Sequence, residues 1–236
     1  MKNVKIAALA LAAASSLGSG TALAHEAGDI LVRVGYARVA PGNESGPLLG
    51  DGGLGLIGGS DGAAAKDSAQ LGLTIAYMVT DNIGVQVLGA LPFEFDIEGT
   101  GATAGAPLGT TTALPPTLTV QYYPDMGSAK FQPYVGAGLN YTLFWSSDTT
   151  QFTTDTVNAL LGGGVQTTDI DIDNSWGLAL EVGADFQISE NWYLNAAAWY
   201  IDIDAETTVE VNETPVYDFT VEVDPWAFMV SVGTKF

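Results

Sequence analysis

PYVGAGLNYTLFW, residues Pro133 to Trp145, alternates without a break. Val135, Ala137, Leu139, Tyr141, Leu143 and Trp145 hold one phase, and Gly136, Gly138, Asn140 and Thr142 the other. A period of two places these sets on opposite faces of a strand. One face is large and apolar; the other is small and polar. A soluble eight-stranded barrel such as a lipocalin turns charge outward and fills its inside with large apolar groups. Here the faces are inverted, which fits a barrel with lipid outside and a narrow polar lumen inside.

The same alternation runs outward from this stretch. SWGLALEVGADF (Ser175–Phe186) sets Trp176, Leu178, Leu180, Val182 and Phe186 against Gly177, Glu181, Gly183 and Asp185. Eight strands follow from the pattern, at about 29–40, 68–79, 83–98, 114–123, 131–146, 170–187, 192–205 and 219–236. Their connections alternate between short (80–82, 124–130, 189–191) and long (41–67, 99–113, 147–169, 206–218), the rhythm of tight periplasmic turns and long outer loops. The expected fold is therefore all-β, an eight-stranded antiparallel transmembrane β-barrel. Trp145, Trp176, Trp192, Tyr200, Trp226, Phe93 and Phe95 lie near strand ends, where interface girdles are built.

The start of the chain, MKNVKIAALALAAASSLGSGTALAHEAGD, has Lys2 and Lys5, an apolar stretch and Ala22-Leu23-Ala24. It reads as a secretory signal peptide over 1–24, cleaved before His25, leaving a single barrel over 25–236. There are no cysteines. Beyond residue 24, five basic residues face 27 acidic ones, a net charge of −22, which excludes nucleic acid as a partner. His25, the single histidine, is expected at a mobile terminus, so a Ser-His-Asp site is implausible and the protein is not expected to be an enzyme or to need a cofactor. Asp169, Asp171 and Asp173 alternate along one strand and could hold a divalent cation, although such a run also suits a solvated outer extension; no metal site is assigned.

Several stretches resemble the OmpW family of outer-membrane proteins: AHEAGD, QLGLTIAYMVTDNIGV, LPPTLTVQYYP, FQPYVGAGLNYT, DNSWG, AAWYIDID and VDPWAFMVSVGTKF. They touch all eight strands. The resemblance implies a bacterial outer-membrane location and a hydrophobic channel for small apolar solutes. The terminal Phe236, in phase with Trp226, Phe228, Val230 and Val232, resembles the signal read by the barrel-assembly machinery. Membrane lipid and lipopolysaccharide are the other expected partners, the latter through the acidic loops.

Eight strands enclose room for side chains or one small ligand rather than a water channel. Strand phase places Arg33, Glu181 and Asp185 inside, and Arg33 is expected to pair with Glu181 or Asp185 in the lower lumen. That pairing either plugs the passage or merely neutralises charge. Higher up, Trp199, Ile201, Ile203 and Phe144 face inward, and Leu54 and Leu56 in the first long loop could cover the mouth; together they form either a greasy ligand channel or plain packing. Pro92, Pro115 and Pro116 mark a candidate lateral gate between the third and fourth strands, because proline cannot donate to the ladder, or else they lie above the membrane. The expected function is diffusion of small hydrophobic molecules. The alternatives are a non-transporting envelope-stabilising or surface-receptor barrel, and a soluble periplasmic carrier.

Overall fold

The computed structural model describes residues 25–42, 62–127 and 130–236. The expected signal peptide and the loop leucines Leu54 and Leu56 lie outside the described residues. Fourteen strands are present among them. They are β1 (Ile30–Ala40), β2 (Ala63–Ala65), β3 (Ser68–Met78), β4 (Ile83–Ala90), β5 (Phe93–Gly99), β6 (Pro107–Leu114) and β7 (Thr117–Tyr122). The remainder are β8 (Phe131–Thr149), β9 (Thr168–Ile172), β10 (Ser175–Gln187), β11 (Trp192–Ile201), β12 (Asp204–Val211), β13 (Thr214–Glu222) and β14 (Trp226–Lys235).

Eight of these close a barrel. The antiparallel order runs β10, β11, β14, β1, β3, β4, β7, β8, and β8 pairs back with β10. Closure removes the exposed edges an open sheet would carry, the condition for strands to sit in lipid. The outward residues carry the apolar phase: Leu178 is 63% exposed, Val230 65% and Trp176 69%. Water would penalise such a surface; hydrocarbon does not. No helix among the described residues is long and apolar enough to cross a membrane.

Above the barrel the strands run on, but not as the uninterrupted lengths expected from periodicity. The third breaks at Leu91-Pro92 into β4 and β5, and the fourth, expected from residue 114, is β7 alone, preceded across Pro115-Pro116 by β6. The sixth breaks at Asp173-Asn174, the seventh at Asp202-Ile203, and the eighth at Val223-Asp224-Pro225, where Asp224 takes φ +38. Proline removes ladder donors, and positive φ turns the chain out of the extended region. The upper pieces form two small sheets. β5 and β6 continue onto the upper half of the 19-residue β8, with β2 on their edge, while β9, β12 and β13 form a separate three-stranded sheet.

Three expected loops are therefore partly ordered elements. Residues 99–113 contain β6, 206–218 contain the β12–β13 hairpin, and 147–169 contain a helix, α1 (Gln151–Leu160). Thr150 caps α1 by accepting from the Thr153 N–H, and Gly162, Gly163 and Gly164, all at positive φ, end it. Phe93 and Phe95 also depart from expectation. They are buried in the interior, not in the lipid-facing girdle, because the break at Pro92 resets the strand phase.

Candidate functional site

The lumen has two storeys. In the lower one, period two on β10 turns Glu181 and Asp185 inward, and β1 turns Arg33 toward them. Arg33, 1% exposed, donates through Nε to Asp185 Oδ1 (3.1 Å) and through Nη2 to Oδ2 (2.7 Å). Its remaining donors reach Gln86 Oε1 on β4 at 3.0 Å and the Tyr123 hydroxyl just past β7 at 3.2 Å. The guanidinium also lies over the rings of Tyr134 and Tyr193, 5.3 and 5.4 Å from their centroids.

Glu181 is not the direct partner of Arg33. It accepts instead from Gln86 Nε2 (2.9 Å), Gln121 Nε2 (2.9 Å) and Thr119 Oγ1 (2.8 Å). Asn195 on β11 donates to Asp185 Oδ1 at 2.8 Å. Each buried carboxylate thus has several donors, the condition for keeping charge in a dry interior.

His25 departs furthest from expectation. It is not a mobile end but is 4% exposed inside the barrel, with Nε2 2.9 Å from Asp185 Oδ2 and its ring edge-on to Tyr123 and Tyr193. The segment behind it is fastened to the periplasmic rim: Ala27 N–H donates to Asp81, Gly28 N–H to the Met78 carbonyl, and Gly28 takes φ +96. With Leu31, Met78, Tyr123, Tyr134 and Tyr193 all buried here, side chains fill the lower lumen. Two glycines make room for the rings. A Cβ on Gly183 would lie 2.4 Å from Tyr134 Cζ, and one on Gly233 2.3 Å from Tyr193 Cε2.

The upper storey is an apolar cavity of about 290 Å³. Ile201, Ile203 and Phe144 line it, with Phe95 from β5, Phe152 and Val157 from α1, and Ile170 from β9. Trp199, two residues below Ile201 and 1% exposed, is packed inside the barrel but is not among the lining residues. α1 is pinned across the cavity at its first turn, where Thr150 and Thr153 hydroxyls donate to the carbonyls of Pro107 and Leu108.

The prolines lie at an opening in the sheet. Pairing between β4 and β7 ends at Leu88–Thr117, and pairing between β5 and β6 resumes at Phe93–Ala113. The residues between, 89–92 and 114–116, keep their outer neighbours: Ala90 pairs with Gly72, and the Tyr141 N–H donates to the Pro116 carbonyl. They do not pair across to one another. Pro115 also lines the cavity, so the unpaired window borders the apolar space.

Among the described residues, one group of acids converges: Asp202, Asp204 and Asp224, with ligand atoms within 4.8 Å of one another at the outer rim. Asp169, Asp171 and Asp173 form no such group. The polar partners in the lower lumen were legible in part, since Gln86, Gln121 and Asn195 are inward-phase polar residues on membrane strands. His25, Tyr123 and the helix α1 carry no such periodic signal.

Fold and lumen define a small outer-membrane β-barrel, filled by side chains in its lower storey and lined by apolar groups above. The chain belongs to the OmpW family, whose model matches residues 26–236. It is 42% identical to outer membrane protein W of Salmonella typhimurium over 236 residues, covering all of both chains. The crystal structure of the outer membrane protein OprG from Pseudomonas aeruginosa superposes with a TM-score of 0.74 at 36% identity, covering 90% of this chain and 97% of that one. A more distant relative, the dibenzothiophene metabolism operon protein PahQ of Pseudomonas aeruginosa, is 28% identical over 183 residues, 76% of each chain.

Proposed function

We propose that this barrel admits small hydrophobic molecules from outside the cell and releases them sideways into the outer membrane. The observation that carries the reading is the vertical order of the lumen. An apolar cavity sits above a plug in which Arg33, Asp185 and His25 close the way down. A solute entering from the loops has no straight path to the periplasm. The unpaired window at Pro92, Pro115 and Pro116 borders both the cavity and the lipid-facing wall, where Leu91 is exposed. A gap without ladder hydrogen bonds opens at less cost than a paired seam. PahQ is named for the metabolism of dibenzothiophene, a flat apolar heterocycle, and that supports an apolar cargo.

The test is uptake of dibenzothiophene by cells carrying wild type, Ile203→Asp in the cavity wall, or a Cys pair at Leu88 and Thr117 that staples the lower edge of the window. The chain has no other cysteine to interfere. With equal surface levels, wild type is expected to accelerate uptake, and both variants to abolish the gain. Uptake that persists in the stapled protein would remove the lateral exit; uptake unaffected by Ile203→Asp would remove the cavity.

A further inference from the structure

The wall of the upper cavity is unusually rich in threonine, and what its hydroxyls do sets what the cavity can hold. Thr149 donates to the Thr168 carbonyl at 2.6 Å, Thr153 to the Leu108 carbonyl at 2.6 Å and Thr156 to the Phe152 carbonyl at 2.7 Å. Lower down, Thr142 donates to Asn140 Oδ1 at 2.7 Å, and Thr111 is bonded to Ser147 at 2.8 Å. Thr168 is held between Thr149 and Thr154, each at 2.8 Å, while Thr103 and Thr207 donate to the carbonyls of Thr100 and Ala205. Every threonine hydroxyl on the wall is engaged within the protein, which leaves methyl groups to face the space.

Cations are missing from the same wall. The basic residues after position 24 are few, and none is among the lining residues; Arg38 and Lys66, next in sequence to the lining Val39 and Ala65, are held by acids. Arg33 is in the plug, Arg38 is paired with Asp67, Lys66 sits 2.6 Å from Glu98, and Lys130 and Lys235 are at the periplasmic end. The charged side chain on the lining is an acid, Glu222. Asp202, Asp204 and Glu206 alternate with the lining residues Ile201, Ile203 and Ala205 and so stand on the outer side of the same wall, with Asp224 beside the first two. A carboxylate brought here would lose its water with no cation to replace it, and would meet a field of its own sign.

Resting on the reading of this cavity as the solute path, we propose that it takes neutral apolar molecules and excludes carboxylates of the same skeleton. The barrel then works as a charge filter: a hydrocarbon passes, and the corresponding acid, on either side, does not.

The experiment uses the barrel in lipid nanodiscs at pH 7.5. Methyl resonances of Ile170, Ile203 and Val209 are followed while naphthalene or 2-naphthoate is added, compared at equal free aqueous concentration. Naphthalene is expected to shift these methyls at concentrations at least about a hundredfold below those needed for 2-naphthoate. Val209→Lys, which puts a cation on the wall, is expected to gain at least about tenfold in 2-naphthoate affinity. Wild-type affinities within tenfold of each other would overturn the filter and leave the solute path standing. No shift with either compound would overturn the solute path itself. A Val209→Lys protein that still takes naphthalene but gains nothing for 2-naphthoate would also overturn the filter, since the missing cation would not be its cause.

Discussion

His25 and Asp185 stand 160 positions apart in the chain and 2.9 Å apart in the barrel. Asp185 already holds the Arg33 guanidinium on both oxygens, so the imidazole completes a three-residue cluster across the periplasmic mouth. His25→Ala deletes a hydrogen bond to a charged group and opens space between Tyr123 and Tyr193. The expected loss of stability is about 1.5–3 kcal/mol. In planar bilayers the variant is expected to conduct small ions above the wild-type level, and unchanged conductance would show that the tyrosines seal the mouth unaided.

Arg33→Met strips Asp185 of its guanidinium in a dry lumen, while Glu181 keeps its three neutral donors. Breaking one partner of such a pair costs about 3–5 kcal/mol, and urea titration of the refolded barrel measures it. Adding Asp185→Asn to the same protein is expected to recover part of that loss, because the unpaired charge goes with it. A double variant no more stable than the single one would mean that Asp185 is not the group the arginine protects.

The tyrosine rings in the lower lumen rest where two glycines lack side chains. Gly233→Ala forces a methyl into the Tyr193 ring, and Gly183→Ala does the same to Tyr134. Overpacking of this kind costs about 1–3 kcal/mol. Tyr193→Leu is expected to relieve Gly233→Ala but not Gly183→Ala, a specificity that thermal unfolding of the four proteins would reveal.

Beyond the outer end of β11, Asp202 carries a carboxyl raised above its usual range, first by burial and then by the charges of Asp224 and Asp204. A raised acid binds its proton more tightly in the folded protein than in the unfolded chain. Its ionisation therefore weakens the fold as pH climbs from the ordinary carboxylate value through the raised one. At neutral pH the penalty is fully present, and at pH 3 it is gone. Asp202→Asn is expected to raise the unfolding free energy at pH 7, by less than about 1 kcal/mol given solvent screening, and to leave it unchanged at pH 3.

The barrel was legible because its signal is periodic. The inversion of large and small faces in Pro133–Trp145 is visible in any one strand, and the structure repeats it in all eight. Arg33, Glu181 and Asp185 followed from phase alone, although phase could not choose the partner, and Asp185 holds the arginine while amides and a threonine hold Glu181. Phase fails wherever a strand breaks. The extensions β5, β6, β12 and β13 restart their alternation after a turn or a proline, which is why Phe93 and Phe95 were placed on the wrong face. α1 has four threonines and valines in ten residues, poor helix formers, and is held by its cap and by contact with β6 rather than by propensity. His25 precedes any strand, so no pattern could place it.

The plug gathers side chains from both ends of the polypeptide. His25 and Arg33 come from its beginning, Gln86 and Tyr123 from the middle, and Asp185 and Asn195 from near its close. None of the six can find all its partners while the chain is still being inserted. With the β1–β14 seam open, Arg33 on β1 and Asp185 on β10 lie toward opposite ends of the sheet. The seam that closes the barrel is therefore also what brings the guanidinium to its carboxylate.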